Sequence, residues 1–153
     1  MNTWQNNLKN MFDEKEEKES EKKERTKDSE IQFAEFIIQT VRPAFEELSI
    51  QLKRHKRTTG IFDNNRNYAS ITVQKMSESG ITEEEFQYVI RLPLDAEQAY
   101  PITETHIRDK KDGKTYVVQG SLRSGEQDYT TKDITKDDII QHFLQQYEMY
   151  MNQ

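Results

Sequence analysis

The chain has 153 residues and carries 22 Lys+Arg against 28 Asp+Glu, a formal net charge of −6. The absence of cysteine excludes disulfide scaffolds, thiolate metal sites and cysteine nucleophiles. No run approaches the ~18 apolar residues of a membrane span, and the first 30 residues lack a signal peptide's apolar core, so a cytoplasmic protein of a single ordinary domain is expected.

At the amino end, Trp4, Leu8, Met11 and Phe12 recur at helical spacing and form one apolar stripe containing the chain's only tryptophan. Trp is a common interface anchor, which makes this stripe a candidate docking helix; Lys9 is its only cation, which argues against a membrane-surface role. Residues 13–28 read DEKEEKESEKKERTKD, eight acidic and six basic groups with nothing apolar. The segment is a nearly neutral polyampholyte, so bulk attraction to nucleic acid or anionic membrane is not expected. Two states fit it: a solvated helix supported by pairs four apart such as Glu14–Lys18 and Glu19–Lys23, or disorder. Residues 1–28 are thus set apart as an amphipathic end plus charged spacer, and 29–153 as one domain.

Ser29 is placed as the N-cap of the first strong helix. Ala34, Ile37, Ile38, Val41, Ala44, Phe45, Leu48 and Leu52 form its stripe, with Phe33 and Phe36 beside it. Pro43 removes a backbone donor and predicts a kink in one continuous helix. Residues 53–57, KRHKR, fall where cations complement the dipole of a helix C-terminus; read functionally, Lys53, Arg54, Lys56 and Arg57, with Arg66, are candidate phosphate contacts on nucleic acid.

After a turn at Asn64-Asn65, Tyr68 to Met76 alternates with Ala69, Ile71 and Val73 on one face. Glu85 to Leu92 alternates with Phe86, Tyr88, Ile90 and Leu92 inward. Ile102 to Arg108 and Thr115 to Leu122 form a hairpin across Asp112-Gly113, with Tyr116, Val118 and Leu122 inward. Gly120 on that face suggests a bulge or a close approach. Thr135 and Asp138 read as a capping box opening a last helix, whose stripe is Ile139, Ile140, Phe143, Leu144, Tyr147 and Met151. The order α-β-β-β-β-α predicts an α+β fold: an antiparallel four-stranded sheet flanked by a long Pro-kinked N-terminal helix and a C-terminal helix.

Catalytic signatures do not emerge. His55, His106 and His142 sit on different elements without metal-ligand spacing, no phosphate-cradling glycine motif occurs, and no carboxylate pair has an apolar setting. No cofactor or metal is therefore expected. The loop Arg123 to Tyr129 concentrates Arg123, Asp128 and Tyr129 as a recognition surface, against a plain reading in which Arg123 pairs with Asp128. The leading expectation is a non-enzymatic protein–protein interaction module, an accessory subunit, adaptor or small chaperone. Its contacts would be Trp4, Leu8, Phe12, Phe33, Phe36, Arg123, Asp128 and Tyr129. A nucleic-acid-binding domain is the alternative and an unrecognised hydrolase or nuclease the third. Phe33, Phe36, Tyr150 and the amino-terminal stripe exceed what two helices on a sheet can bury, so a homo-oligomer or a bound protein partner is expected.

Overall fold

The computed structural model describes residues 3–94, 96–109, 111–122 and 129–152. One helical segment runs from near the amino end to the sheet: α1 (Thr3–Phe36), a π-helical turn (Ile37–Val41) and α2 (Arg42–Arg54). Five strands follow, β1 (Arg57–Asp63), β2 (Tyr68–Met76), β3 (Thr82–Arg91), β4 (Ile102–Arg108) and β5 (Thr115–Ser121). A short 3-10 turn (Thr131–Asp133) leads into α3 (Lys136–Met151). The strands form an antiparallel meander in spatial order β1-β2-β3-β4-β5, with each neighbour a hairpin partner. The helices cover one face of this sheet.

The class is the expected α+β, with five strands where four were expected. The missed strand is β1, whose face toward the helices carries Arg57, Thr59, Ile61 and Asp63 in register with β2. Three of those four residues are polar, and each is met by a polar partner. Arg57 bonds Glu85, the Thr59 and Ser49 hydroxyls share a short hydrogen bond, and Asp63 accepts a two-pronged bond from Arg42 at 2.8 and 2.9 Å. A strand satisfied in this way shows no alternating apolar signal.

The long helix solves a phase problem. Ser29, Phe33, Ile37, Val41 and Phe45 are all buried and lie at strict four-residue steps. An ideal helix advances about 100° per residue, so each such step drifts the stripe by about 40°. The π-helical turn admits an extra residue at Ile37–Val41, and the buried faces of α1 and α2 then point to the same core. The wide turn also accommodates Pro43, which has no amide hydrogen to give; Arg42 N–H closes back to the Ile37 carbonyl instead. The Pro43 disturbance is therefore a π turn just before the proline.

Ser29 is not a helix start, since α1 runs through it. Its hydroxyl is buried and donates to the Ala96 carbonyl at 2.5 Å, tying α1 to the link between β3 and β4. Before Thr26 every described residue of α1 is exposed. On the helical wheel this free portion is sorted by charge. Lys15, Lys18, Lys22 and Arg25, with Glu19 among them, continue the face of Trp4, Leu8 and Met11, while Asp13, Glu17, Glu21, Glu24 and Asp28 occupy the far side.

The core is built from Phe33, Phe36, Ile37, Val41, Phe45, Ile71, Val73, Phe86, Tyr88, Ile90, Ile139, Phe143 and Tyr150 among others. Phe33, Phe36 and Tyr150, expected as surplus apolar surface, are thus core residues. The β4–β5 hairpin turns where expected, with Gly113 at φ 72° and Lys114 N–H donating to Asp112. Tyr116 and Val118 lie on the helix-bearing side but remain about half exposed. Leu122 is buried as expected. The capping box of α3 forms in both directions, Thr135 Oγ accepting from Asp138 N–H and Asp138 accepting from Thr135 N–H.

Candidate functional site

The register of β2 and β3 slips at one point: Val73 faces Phe86, but Gln74 faces Glu84, leaving Glu85 as an extra residue. Alternation would send Glu85 to the face opposite Phe86. The bulge instead gives both residues to the helix-bearing face. Phe86 packs edge-on against Phe143 and Tyr147, and the Glu85 carboxylate accepts from the Tyr147 hydroxyl at 2.5 Å and from Arg57 Nε at 3.2 Å. Glu85 is only 8% exposed, so a strand, an edge strand and a helix meet on one buried carboxylate. Burial raises the Tyr147 pKa well above its ordinary value, and donation to Glu85 adds to this. Burial works against the Arg57 charge, but the pair with Glu85 outweighs it and the guanidinium is held above its usual pKa.

Above this trio, the carboxyl-terminal halves of α2 and α3 leave a groove of about 470 Å³. Leu48, Leu52, Phe143, Leu144, Tyr147 and Met151 line it, with His55 and Arg57 at one end. Leu144 and Met151, read as stripe residues of the last helix, are about half exposed on its rim. Glu46, Glu47 and Asp137 are exposed near the other end, where Lys136 bridges to Glu47 at 2.8 Å. The groove is a place for an apolar object, with Gln51 on the α2 wall and the other polar groups at its floor and ends. Tyr147 keeps its proton at ordinary pH and Glu85 is tied to Arg57, so the trio reads as a structural latch.

A second polar pair lies beside it. The buried Tyr88 hydroxyl and His142 Nδ1 are 2.6 Å apart. Burial depresses the His142 pKa and raises that of Tyr88. The imidazole is then neutral, and its tautomer decides which of the two groups donates. A Cβ at Gly120 would crowd Thr103 Oγ1 at 3.1 Å and only touch His142 Nε2 at 3.9 Å. No group of three His, Asp or Glu side chains among the described residues is placed to hold a metal.

The residues singled out from sequence separate into distinct groups. Trp4, Leu8, Met11 and Phe12 stand on the free end of α1, 62, 45, 66 and 58% exposed. Phe33, Phe36 and Tyr129 are buried in the core and present no surface. Arg123 and Asp128, with the pairing expected between them, lie outside the described residues. Lys53, Arg54 and Lys56 are exposed at the end of α2, but Arg57 is bound to Glu85, and Arg66 bonds Glu30 through two nitrogens at 3.1 and 3.2 Å. The five cations therefore do not make one free patch. Sequence reasoning missed Glu85 as the centre of the polar trio and the groove above it; the only signal was an acidic residue directly beside an inward Phe.

No helix among the described residues is long and apolar enough to cross a membrane. Neither a protein-family model, nor a curated protein, nor a solved structure matches the chain.

Proposed function

We propose that the protein is a non-enzymatic protein–protein interaction module that engages its partner through the free end of α1. The observation that carries this reading is the exposure of Trp4, Leu8, Met11 and Phe12, four large apolar side chains on a helix whose described residues are all exposed before Thr26. Such a stripe costs solubility and gives the isolated fold no stability, which is what a docking helix looks like before it docks. The α+β domain supplies the rigid base: α1 is fastened to it by Ser29, Phe33 and Phe36. The buried polar groups support the same view, because Glu85, Arg57, Tyr147, Tyr88 and His142 are taken up in hydrogen bonds and ion pairs with one another.

The test is affinity capture from the native host with the full chain and with Leu8→Asp, which changes an exposed residue and leaves the core intact. A partner retained by the first and lost by the second is the expected result. Retention profiles that are identical for the two chains refute the reading. Retention on immobilised DNA or RNA that falls with salt and survives Leu8→Asp would favour the nucleic-acid alternative.

A further inference from the structure

Resting on that reading, we infer that the first partner of the α1 tip is a second copy of this chain, which receives it antiparallel in the groove between α2 and α3. Tip and groove occupy opposite ends of one continuous helical segment. From Thr3 to Arg54 this segment spans about 78 Å at ~1.5 Å per residue, and the groove is lined by its far end, Leu48 to His55. A helix interrupted only by one π turn cannot bend its tip back onto its own far end. Two copies laid antiparallel bring tip to groove at both ends in a single symmetric contact. That arrangement closes as a dimer, whereas parallel docking would pass the contact on to a third copy.

Charge fixes the direction. Lys15 and Lys18 continue the apolar face of the tip, seven and ten residues beyond Leu8, or about 10–15 Å along the axis. At the groove's other end, Asp137 precedes Leu144 by seven residues, about 10 Å, beside a Glu47 that is already paired with Lys136. Antiparallel docking therefore sets Lys15 and Lys18 of one copy near Asp137 and the Glu47–Lys136 pair of the partner, away from the basic end of its groove. The reverse orientation would carry those lysines past the opposite end, toward Lys53, Arg54 and Lys56. The apolar lining matches the tip in kind: Leu48, Leu52, Leu144 and Met151 offer flexible aliphatic walls to one Trp, one Leu, one Met and one Phe.

Light scattering of the full chain at micromolar concentration should give twice the 18.2 kDa chain mass. Leu8→Asp on the tip and Leu144→Asp on the groove rim should each weaken the dimer by at least ~30-fold, as loss of an interface anchor does. Both positions are exposed, and unchanged circular dichroism confirms that the variants fold; Met151→Asp serves as a second groove variant. Lys15→Glu with Lys18→Glu should weaken the dimer, and Asp137→Lys should restore it. Because the chain has no cysteine, mixing a Leu8→Cys chain with a Leu144→Cys chain under oxidation should yield a disulfide between copies.

A dimer indifferent to Leu144→Asp and Met151→Asp, with no such cross-link, overturns the groove assignment. A strict monomer that still captures a host protein in a Leu8-dependent way overturns self-docking and leaves the interaction module standing. A strict monomer whose captured proteins are indifferent to Leu8→Asp overturns both.

Discussion

Phe143 and Leu144 are neighbours on α3 and were read from sequence as one stripe, yet they stand in opposite environments. Phe143 is fully buried, edge-on to Phe86 and Tyr88 at 5.5 Å each and stacked on Tyr147 at 5.7 Å. Leu144 is 46% exposed on the groove rim. Replacing a buried Phe by Ala costs about 3–5 kcal/mol through lost transfer energy and the cavity left behind. Three aromatic neighbours, each worth about 0.5–1.5 kcal/mol beyond area, push Phe143→Ala toward the top of that range. About 4–5 kcal/mol is thus expected, a large share of a total that is usually ~5–15 kcal/mol. Leu144→Ala should cost about 1 kcal/mol or less, since an open rim leaves no sealed cavity. Urea unfolding followed by circular dichroism measures both, at a dilution where the chain is monomeric and with an unchanged slope. A Phe143→Ala cost under about 1 kcal/mol, or equal costs at the two positions, would refute the division of α3 into a core face and a docking face.

Three further outcomes are expected. Glu85→Ala leaves a largely buried Arg57 and the Tyr147 hydroxyl without their shared acceptor and should cost about 2–4 kcal/mol; combined with Tyr147→Phe in a double-mutant cycle, the losses should fall short of additive by about 1 kcal/mol. Because burial holds the His142 pKa below its ordinary 6.5, its contribution to stability is complete above that pH and declines as the unfolded chain alone takes up a proton below it; denaturation at a series of pH values should show this slope and His142→Gln should remove it. Deleting residues 1–24, which end before the buried Ser29 contact with Ala96, should change monomer stability by less than about 1 kcal/mol, whereas removing Ser29 and Phe33 as well should abolish cooperative unfolding.

What could be read from the sequence follows how apolar each element is. The capping box at Thr135, the inward alternation of Phe86, Tyr88 and Ile90 and the Asp112-Gly113 turn announce themselves locally, and each forms as read. The first strand did not, because Arg57, Thr59 and Asp63 are held by Glu85, Ser49 and Arg42, partners from other elements that no local pattern reveals. The basic run at 53–57 accordingly looked like a uniform helix end, although Arg57 already belongs to the sheet. Phe33 and Phe36 seemed surplus because a stripe of 3.6-residue period was assumed; the four-residue steps through the π turn bring them into the core. The amino-terminal apolar stripe was legible, since helical spacing is a local signal, and its side chains stand exposed on α1. The groove that we assign to it was not, because it exists only between two helices.

Trp4 is the single tryptophan and sits at the centre of the claim that the α1 tip docks. Its emission, followed by dilution of the full chain from micromolar to nanomolar concentration, reports that step directly. The account predicts a blue-shifted, quencher-protected signal at high concentration that turns into a solvent-exposed one on dilution, with Leu144→Asp exposed throughout. A Trp4 signal that is solvent-exposed at every concentration and in the presence of captured host protein, or one equally shielded in wild type and Leu144→Asp, would contradict it.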